Sequence, residues 1–128
     1  MLVSPSEVVA KAKATIKECT IRDMQACMTA GTLLVDIREA KEFAQGHLPG
    51  AIHISRGLLE FEILPTLEKR GVAVEPSECD IVLYCGTGGR STLAAKSLDD
   101  MGFQNVKSMD GGIVAWAEAK LPLDLPKA

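Results

Sequence analysis

The sequence predicts an α/β fold: a central parallel β-sheet flanked by helices on both faces. Three observations lead there. Residues 33–37 (LLVDI) and 80–84 (DIVLY) are short apolar runs that do not alternate with polar residues. Such runs suit strands buried on both faces, as central parallel strands are. Helical patterns lie between the strand candidates, and that alternation implies crossover connections and a parallel sheet. A glycine-rich segment, residues 85–91 (CGTGGRS), follows the second run directly and opens the next helical pattern.

Each element has a local reason. Ser4-Pro5-Ser6-Glu7 is a helix start, with a Ser cap, a first-turn Pro and an early Glu, and the helix runs to about Thr15. A short strand at 16–19 follows. Thr20 to Asp23 is a second capping-type start; Met24, Cys27 and Met28 have helical spacing and Gly31 ends the segment. Strand 33–37 leads to a helix at about 39–45, a strand at 51–54 and a helix at 57–64. After strand 80–84 comes a helix at 90–101, in which Ala94, Leu98 and Met101 share a face and Gly102 closes the pattern. A strand at 105–109 and a helix at 112–119 complete the order. Residues 1–3 and the Pro-containing tail 121–128 read as loose.

The chain has 128 residues, a length that suits one domain. Hydrophobic residues make up 47% and charged residues 24%, a globular balance that excludes disorder and collagen-like repeats. Fourteen basic against seventeen acidic residues give a net charge of −3, with no basic stripe for a nucleic acid. No apolar run reaches the ~20 residues of a membrane helix. The N-terminus lacks a basic segment followed by an apolar one, so no secretory signal is expected.

The four cysteines, Cys19, Cys27, Cys79 and Cys85, show no C-x-x-C spacing and are sparse for a disulfide scaffold. They are expected as free thiols in a reducing cytoplasm, with Cys19, Cys27 and Cys79 as core or near-surface groups. His47 and His53 stand far from any cysteine pair, so no zinc site is expected, and no other metal or cofactor is implied.

Ligands of open α/β sheets bind beyond the carboxyl ends of the strands, and Cys85 stands at such an end. The glycines let the backbone curl so that Gly86, Thr87, Gly88, Gly89, Arg90 and Ser91 form a nest of N–H groups at a helix N-terminus, a site for anions. Helix N-termini and a neighbouring Arg also favour thiolates. Cys85 is therefore expected as a nucleophile, with Arg90 the charged partner of an anionic substrate. Thr87 either donates its hydroxyl or fills the turn. Cys79 lies at the far end of the strand, roughly 20 Å away at about 3.3 Å per residue, too far to resolve Cys85.

Over residues 16–122 the sequence resembles the rhodanese family of sulfurtransferases in its single-domain form. VDIRE at 35–39, Glu42-Phe43 and GHLPGA at 46–51 resemble the family's first signature. Cys85 to Ser91 is similar to its active-site loop, and Gly111-Gly112 through Trp116, with Leu121-Pro122, to its closing signature. The resemblance implies one rhodanese-like domain over 1–128, with 1–15 as a helical extension and 121–128 as a tail. It also implies a mechanism. Cys85 takes the outer sulfur of thiosulfate or another sulfane donor as a persulfide, then passes it to cyanide or a cellular thiol, on a small molecule or a protein.

Four residues separate Cys85 from Arg90. Phosphatases related to this fold use a longer loop, so a sulfur anion suits this one better than a phosphate group. The sequence also departs from the family: many thiosulfate-active members carry a basic residue inside the loop, and Gly86-Thr87-Gly88-Gly89 has none. Positive charge then falls to Arg90 and neighbouring loops; the sequence leaves open whether thiosulfate activity is high, while persulfide formation is still expected.

Asp36 and Arg38 end strand 33–37 at the same rim and are expected to brace the active-site loop. His47, in a Gly-His-Leu-Pro-Gly turn, reads as structural and His53 as packed or surface. Arg56 either adds charge at the site mouth or is solvated, and Trp116 anchors the last helix. Two other functions compete: a rhodanese-like binding or regulatory module without catalysis, and an anion hydrolase such as a phosphatase or arsenate reductase. Donor, acceptor and oligomeric state are left open by the sequence.

Overall fold

The structure is a computed structural model describing residues 1–72 and 74–127. Its elements run α1 (Pro5–Lys13), β1 (Lys17–Cys19), α2 (Met24–Cys27), β2 (Leu33–Asp36), α3 (Ala40–Ala44), β3 (Ile52–His53), α4 (Leu59–Lys69), β4 (Asp80–Tyr84), α5 (Gly89–Asp100), β5 (Asn105–Met109) and α6 (Gly112–Glu118). Short 3₁₀ turns at Arg56–Leu58 and Pro76–Glu78 precede α4 and β4. The five strands form one sheet, ordered β1-β5-β4-β2-β3, with every pairing parallel.

β4 lies between β2 and β5, with Val35 opposite Leu83 on one side and Leu83 opposite Ser108 on the other. From β4 the chain crosses to β5, and from β2 it crosses the opposite way to β3. The connections diverge between β2 and β4, so a crevice opens beyond their carboxyl ends. Cys85, the residue after β4, stands at that crevice.

The period-2 pleat divides the apolar strand residues between two cores. Ile81 and Leu83 of β4, with Leu33 and Val35 of β2, pack with Leu59, Ile63 and Leu67 of α4 and Ala94, Ala95 and Leu98 of α5. Val82 and Tyr84 face the other way, with Leu34, Leu48, Met24, Met109 and Ile113. All four residues of β2 are buried, as a non-alternating central strand requires. α1 lies outside the sheet layers, packed on α5. Its cap is the expected one, Ser4 Oγ accepting from the Glu7 N–H at 3.2 Å. No helix of the described residues is long and apolar enough to cross a membrane.

Three expectations are corrected. The helix expected at 57–64 starts at Leu59 and continues through Pro65 to Lys69. An internal proline costs about 3 kcal/mol. Leu59, Ile63 and Leu67 recur at i, i+4 and i+8 and are buried almost completely. Burying Leu67 contributes about 1.5–3 kcal/mol, and the hydrogen bonds of the last turn offset the rest. Cys19 and Cys27, expected as free thiols, are joined in a disulfide that ties the end of β1 to the last residue of α2. Their eight-residue separation fits no short cysteine motif; the turn after β1 brings them together. The tail expected to be loose is bound as far as Asp124. Asp124 pairs antiparallel with His47 through N–H···O bonds of 2.9 and 2.8 Å, and the Trp116 indole N–H donates to Pro122 O at 2.8 Å.

Leu67 tests the helix beyond Pro65. Leu67→Ala is expected to lower stability by about 2–4 kcal/mol in urea titrations. A loss under about 1 kcal/mol would mean that the last turn of α4 holds no core.

Candidate active site

Residues 85–91 leave the buried strand β4 and enter α5, so a rigid element fixes each end. The Cys85 side chain is inside, its residue 1% exposed. Its sulfur accepts the backbone N–H of Gly88 at 3.2 Å and of Ser91 at 3.3 Å. The Ser91 hydroxyl stands 3.5 Å from the same sulfur. It also pairs with the Ser108 hydroxyl at 2.7 Å and donates to Gly88 O at 3.2 Å. Gly88 has φ +116°, a left-handed conformation that brings its N–H toward the sulfur and favours glycine. Thr87 is exposed at the tip of the loop.

The first two carbonyls of the loop are tied to α6. Cys85 O accepts from Ile113 N–H at 2.9 Å, and Gly86 O from Val114 N–H at 3.0 Å. Both donors belong to the first turn of α6, where amides have no partner within the helix. Gly111 and Gly112 have φ of +81° and +60° and let the chain pass from β5 into α6 against the loop. A Cβ at Gly112 would stand 2.6 Å from Cys85 O. The paired glycines thus shape the nest from outside it. The sequence signal was present, two glycines ahead of an apolar helical pattern, but nothing local named their contact.

Arg90 is placed differently from expectation. Its guanidinium lies against the loop, Nη2 3.2 Å from where a Gly86 Cβ would be, but it does not stand free for an anion. It forms a two-point ion pair with Glu42, Nη1–Oε1 2.8 Å and Nη2–Oε2 3.1 Å. Glu42 is fixed independently, because its Oε1 also accepts the Glu39 N–H at 2.9 Å in a capping box at the start of α3. The Arg90 bonds, then the Glu39 N–H, lower the Glu42 carboxyl to about 2. Arg90 is correspondingly raised, first by its bonds to Glu42.

Asp36 and Arg38 brace a different segment from the one expected. Both are buried; Arg38 Nη2 donates to Asp36 Oδ2 at 2.7 Å and to Gly46 O at 2.7 Å. Among the described residues neither side chain bonds to 85–91. The pair holds the 39–47 segment that carries Glu42, and so reaches the loop through Arg90. The direct link between strands is a backbone one, Ile37 N–H to Tyr84 O at 3.1 Å.

His47 is stacked flat on Phe43, ring centroids 4.2 Å apart, and its Nδ1 lies 2.8 Å from Leu48 O. His53 Nε2 lies 2.7 Å from Arg38 O, and its ring also stacks on Phe43. Both imidazoles support the Phe43–Arg38 side of the rim; among the described bonds neither reaches Cys85. Tyr84 was not singled out in the sequence. Its buried hydroxyl accepts the Leu48 N–H at 3.0 Å, and burial pushes its pKa far upward. Arg56 is paired with Glu60 through two 2.9 Å contacts, and Glu60 also accepts from Ser97 Oγ at 2.6 Å. Among the described residues no group of His, Cys, Asp and Glu could hold a metal ion. A cavity of about 730 Å³ lies away from the loop, between α2 and α6, lined by Met24, Met28, Leu48 and Trp116 among others.

A parallel sheet with a cysteine at a strand end, its sulfur accepting two backbone N–H groups beside a helix N-terminus, defines a class: α/β proteins with a cysteine held in a strand-to-helix loop. Comparison places the chain within it. The rhodanese-like domain family matches residues 20–119. A thiosulfate sulfurtransferase GlpE of Haemophilus influenzae is 34% identical over 111 residues, covering 86% of this chain and 96% of the relative. A sulfurtransferase of Allochromatium vinosum is 35% identical over 99 residues, covering 77% and 84%. Among solved structures, a polysulfide-sulfur transferase homodimer from Wolinella succinogenes superposes with TM-score 0.69 at 31% identity, covering 93% of this chain and 85% of that one. A protein of unknown function from Rhodopseudomonas palustris, described as a possible tyrosine phosphatase, superposes with TM-score 0.81 at 32% identity, covering 97% and 96%. The chain belongs to the rhodanese family of sulfurtransferases.

Two substitutions test the site's architecture. Gly112→Ala adds a methyl against Cys85 O in a left-handed conformation and should cost about 1–3 kcal/mol of stability and slow alkylation of Cys85 by iodoacetamide. Gly57→Ala, at a glycine with nothing within 4 Å of a Cβ, should leave both unchanged.

Glu42→Gln tests the ion pair. Folding lowers the Glu42 carboxyl from 4.5 to about 2. Its contribution is therefore present above about pH 4.5 and lost as pH falls toward 2. Because both side chains are about a third or more exposed, the gap between wild type and Glu42→Gln should be only a few tenths to about 1 kcal/mol. Urea titrations should find it constant above pH 5 and closing by pH 2. A gap that persisted at pH 2 would place the effect outside the ion pair.

Proposed function

We propose that the protein is a sulfurtransferase acting through a persulfide on Cys85. The observation carrying this reading is the Cys85 sulfur accepting two backbone N–H groups, inside a loop with four residues between Cys85 and Arg90. The amides are fixed before reaction, so they stabilise sulfur charge without reorganising. A Cys85 thiolate attacks the outer sulfur of a sulfane donor, and the donor's S–S bond breaks. The donor's remaining part leaves with the electron pair: sulfite from thiosulfate, a thiolate from a persulfide. The loop of Gly86 to Ser91 then holds the terminal sulfur until a thiol or cyanide attacks it and Cys85 leaves as thiolate. Every group this requires belongs to the chain, with no metal or organic cofactor. The reading calls for a compartment that supplies a thiol or another thiophilic acceptor.

A phosphatase reading is carried by the Rhodopseudomonas palustris neighbour's description. The short ring argues against it, because its amides converge on one sulfur atom and leave less room for a tetrahedral phosphate.

Intact mass of the protein incubated with sulfane donors tests the proposal. Wild type should gain one sulfur atom, lose it to cyanide, and show neither change as Cys85→Ser. Hydrolysis of a small aryl phosphate should be absent. Aryl phosphate turnover that depends on Cys85, without any sulfur gain, would replace this reading with the hydrolase one. Neither activity would leave a binding module.

A further inference from the structure

The arginines that the sequence placed at the rim are all paired. Arg90 holds Glu42 through bonds of 2.8 and 3.1 Å, Arg56 holds Glu60 through two of 2.9 Å, and Arg38 holds Asp36 at 2.7 Å. The loop interior, Gly86-Thr87-Gly88-Gly89, has no charge. What the ring offers an incoming sulfur is therefore backbone dipoles, with no unpaired cation among these arginines.

Of the three pairs, Arg90–Glu42 bears on the substrate most directly. Arg90 Nη2 lies against Gly86, at the mouth of the ring. Glu42 does not meet it by chance, since Glu39 N–H holds the same carboxylate at 2.9 Å. The carboxylate stays ionised down to about pH 2, so the charge of Arg90 is offset throughout the working range.

We infer that Glu42 is a specificity-determining residue: by occupying Arg90 it tunes the ring to the persulfide of a thiol, R–S–SH, in preference to doubly charged thiosulfate. The inference rests on the sulfurtransferase reading. The two donors differ in what leaves. Thiosulfate carries a sulfonate whose oxygens and charge need donors beyond the ring, and the cation placed to supply them is engaged. A persulfide needs only its terminal sulfur bound. The Cys85 thiolate attacks that sulfur, the donor S–S bond breaks, and the electron pair leaves on R–S⁻. Cys85 becomes Cys–S–SH, the persulfide proton travels with the sulfur, and no external oxidant or reductant is consumed. Glu42 touches no reacting atom; it acts through Arg90.

Glu42→Gln isolates the charge. Glutamine serves the same capping position, so α3 keeps its start while Arg90 loses its counter-charge. Single-turnover sulfur loading of Cys85, followed by intact mass, is measured with thiosulfate and with cysteine persulfide at low and high ionic strength. Wild type should load at least about tenfold faster from cysteine persulfide, and Glu42→Gln should raise the thiosulfate rate about tenfold while changing the persulfide rate little. The variant's thiosulfate rate should fall with salt, and the wild-type rate should not. A merely structural role for Glu42 would lower both donors together and leave the salt dependence flat, and that result overturns the inference. So does a wild type that prefers thiosulfate or whose thiosulfate rate falls steeply with salt, a measurement that needs no variant. If wild type takes sulfur from neither donor, the sulfurtransferase reading fails and this inference fails with it.

Discussion

Two backbone hydrogen bonds, from the amides of Ile113 and Val114 to the carbonyls of Cys85 and Gly86, hold the site in its working shape. They fix the start of the loop, residues 85 and 86, against α6, while the amides of Gly88 and Ser91 further along the same loop meet the Cys85 sulfur. Donors at the first turn of a helix are available because the helix cannot use them itself. The loop's carbonyls and the unpartnered amides of α6 satisfy each other, and buried polar groups left unmet at either end would cost about 1–3 kcal/mol each. The close approach this requires explains Gly112, where any side chain would collide with the loop backbone. The loop's shape is therefore a product of the whole β4–α5–β5–α6 unit.

A second arrangement controls charge at the rim. Asp36 holds Arg38, Arg38 holds Gly46 O, and the 39–47 segment they secure carries Glu42, which holds Arg90. Buried pairs such as Asp36–Arg38 are weak arguments for stability, since desolvation opposes their attraction. Their effect here is geometric. Phe43 is clamped between two imidazoles, and the antiparallel contact of His47 with Asp124 ties this segment to the chain's tail. Residues far apart in sequence thus meet in one question, whether Arg90 presents its charge.

Much of this was legible in the sequence. The strands 33–37 and 80–84 were readable because burial on both faces leaves no polar alternation, and Cys85 because its glycines, Arg90 and a helix follow a strand directly. Long-range partners were not. Nothing local to Arg90 says that a glutamate 48 residues earlier will claim it. Nothing in the spacing of Cys19 and Cys27 pairs them. Pro65 signals a helix end, and only the burial of Leu67 overrides it. Asp36 and Arg38 were rightly placed at the rim, but which segment they brace depends on where the 39–47 turn folds back.

These limits follow from how the site divides its work. The N–H groups that meet the Cys85 sulfur come from residues within six positions of it, so a short motif contains them. The side chain that reaches Arg90 comes from α3, and its placement depends on tertiary packing. On the inference drawn from Arg90 and Glu42, the Cys-loop motif carries the sulfur chemistry and the residue facing the loop's arginine selects the donor. On that inference, two chains with the same seven loop residues would differ in preferred donor if one carried glutamate at position 42 and the other a neutral residue. The family resemblance carries the reaction type to this chain, and the Arg90–Glu42 geometry is where its own specificity is to be read.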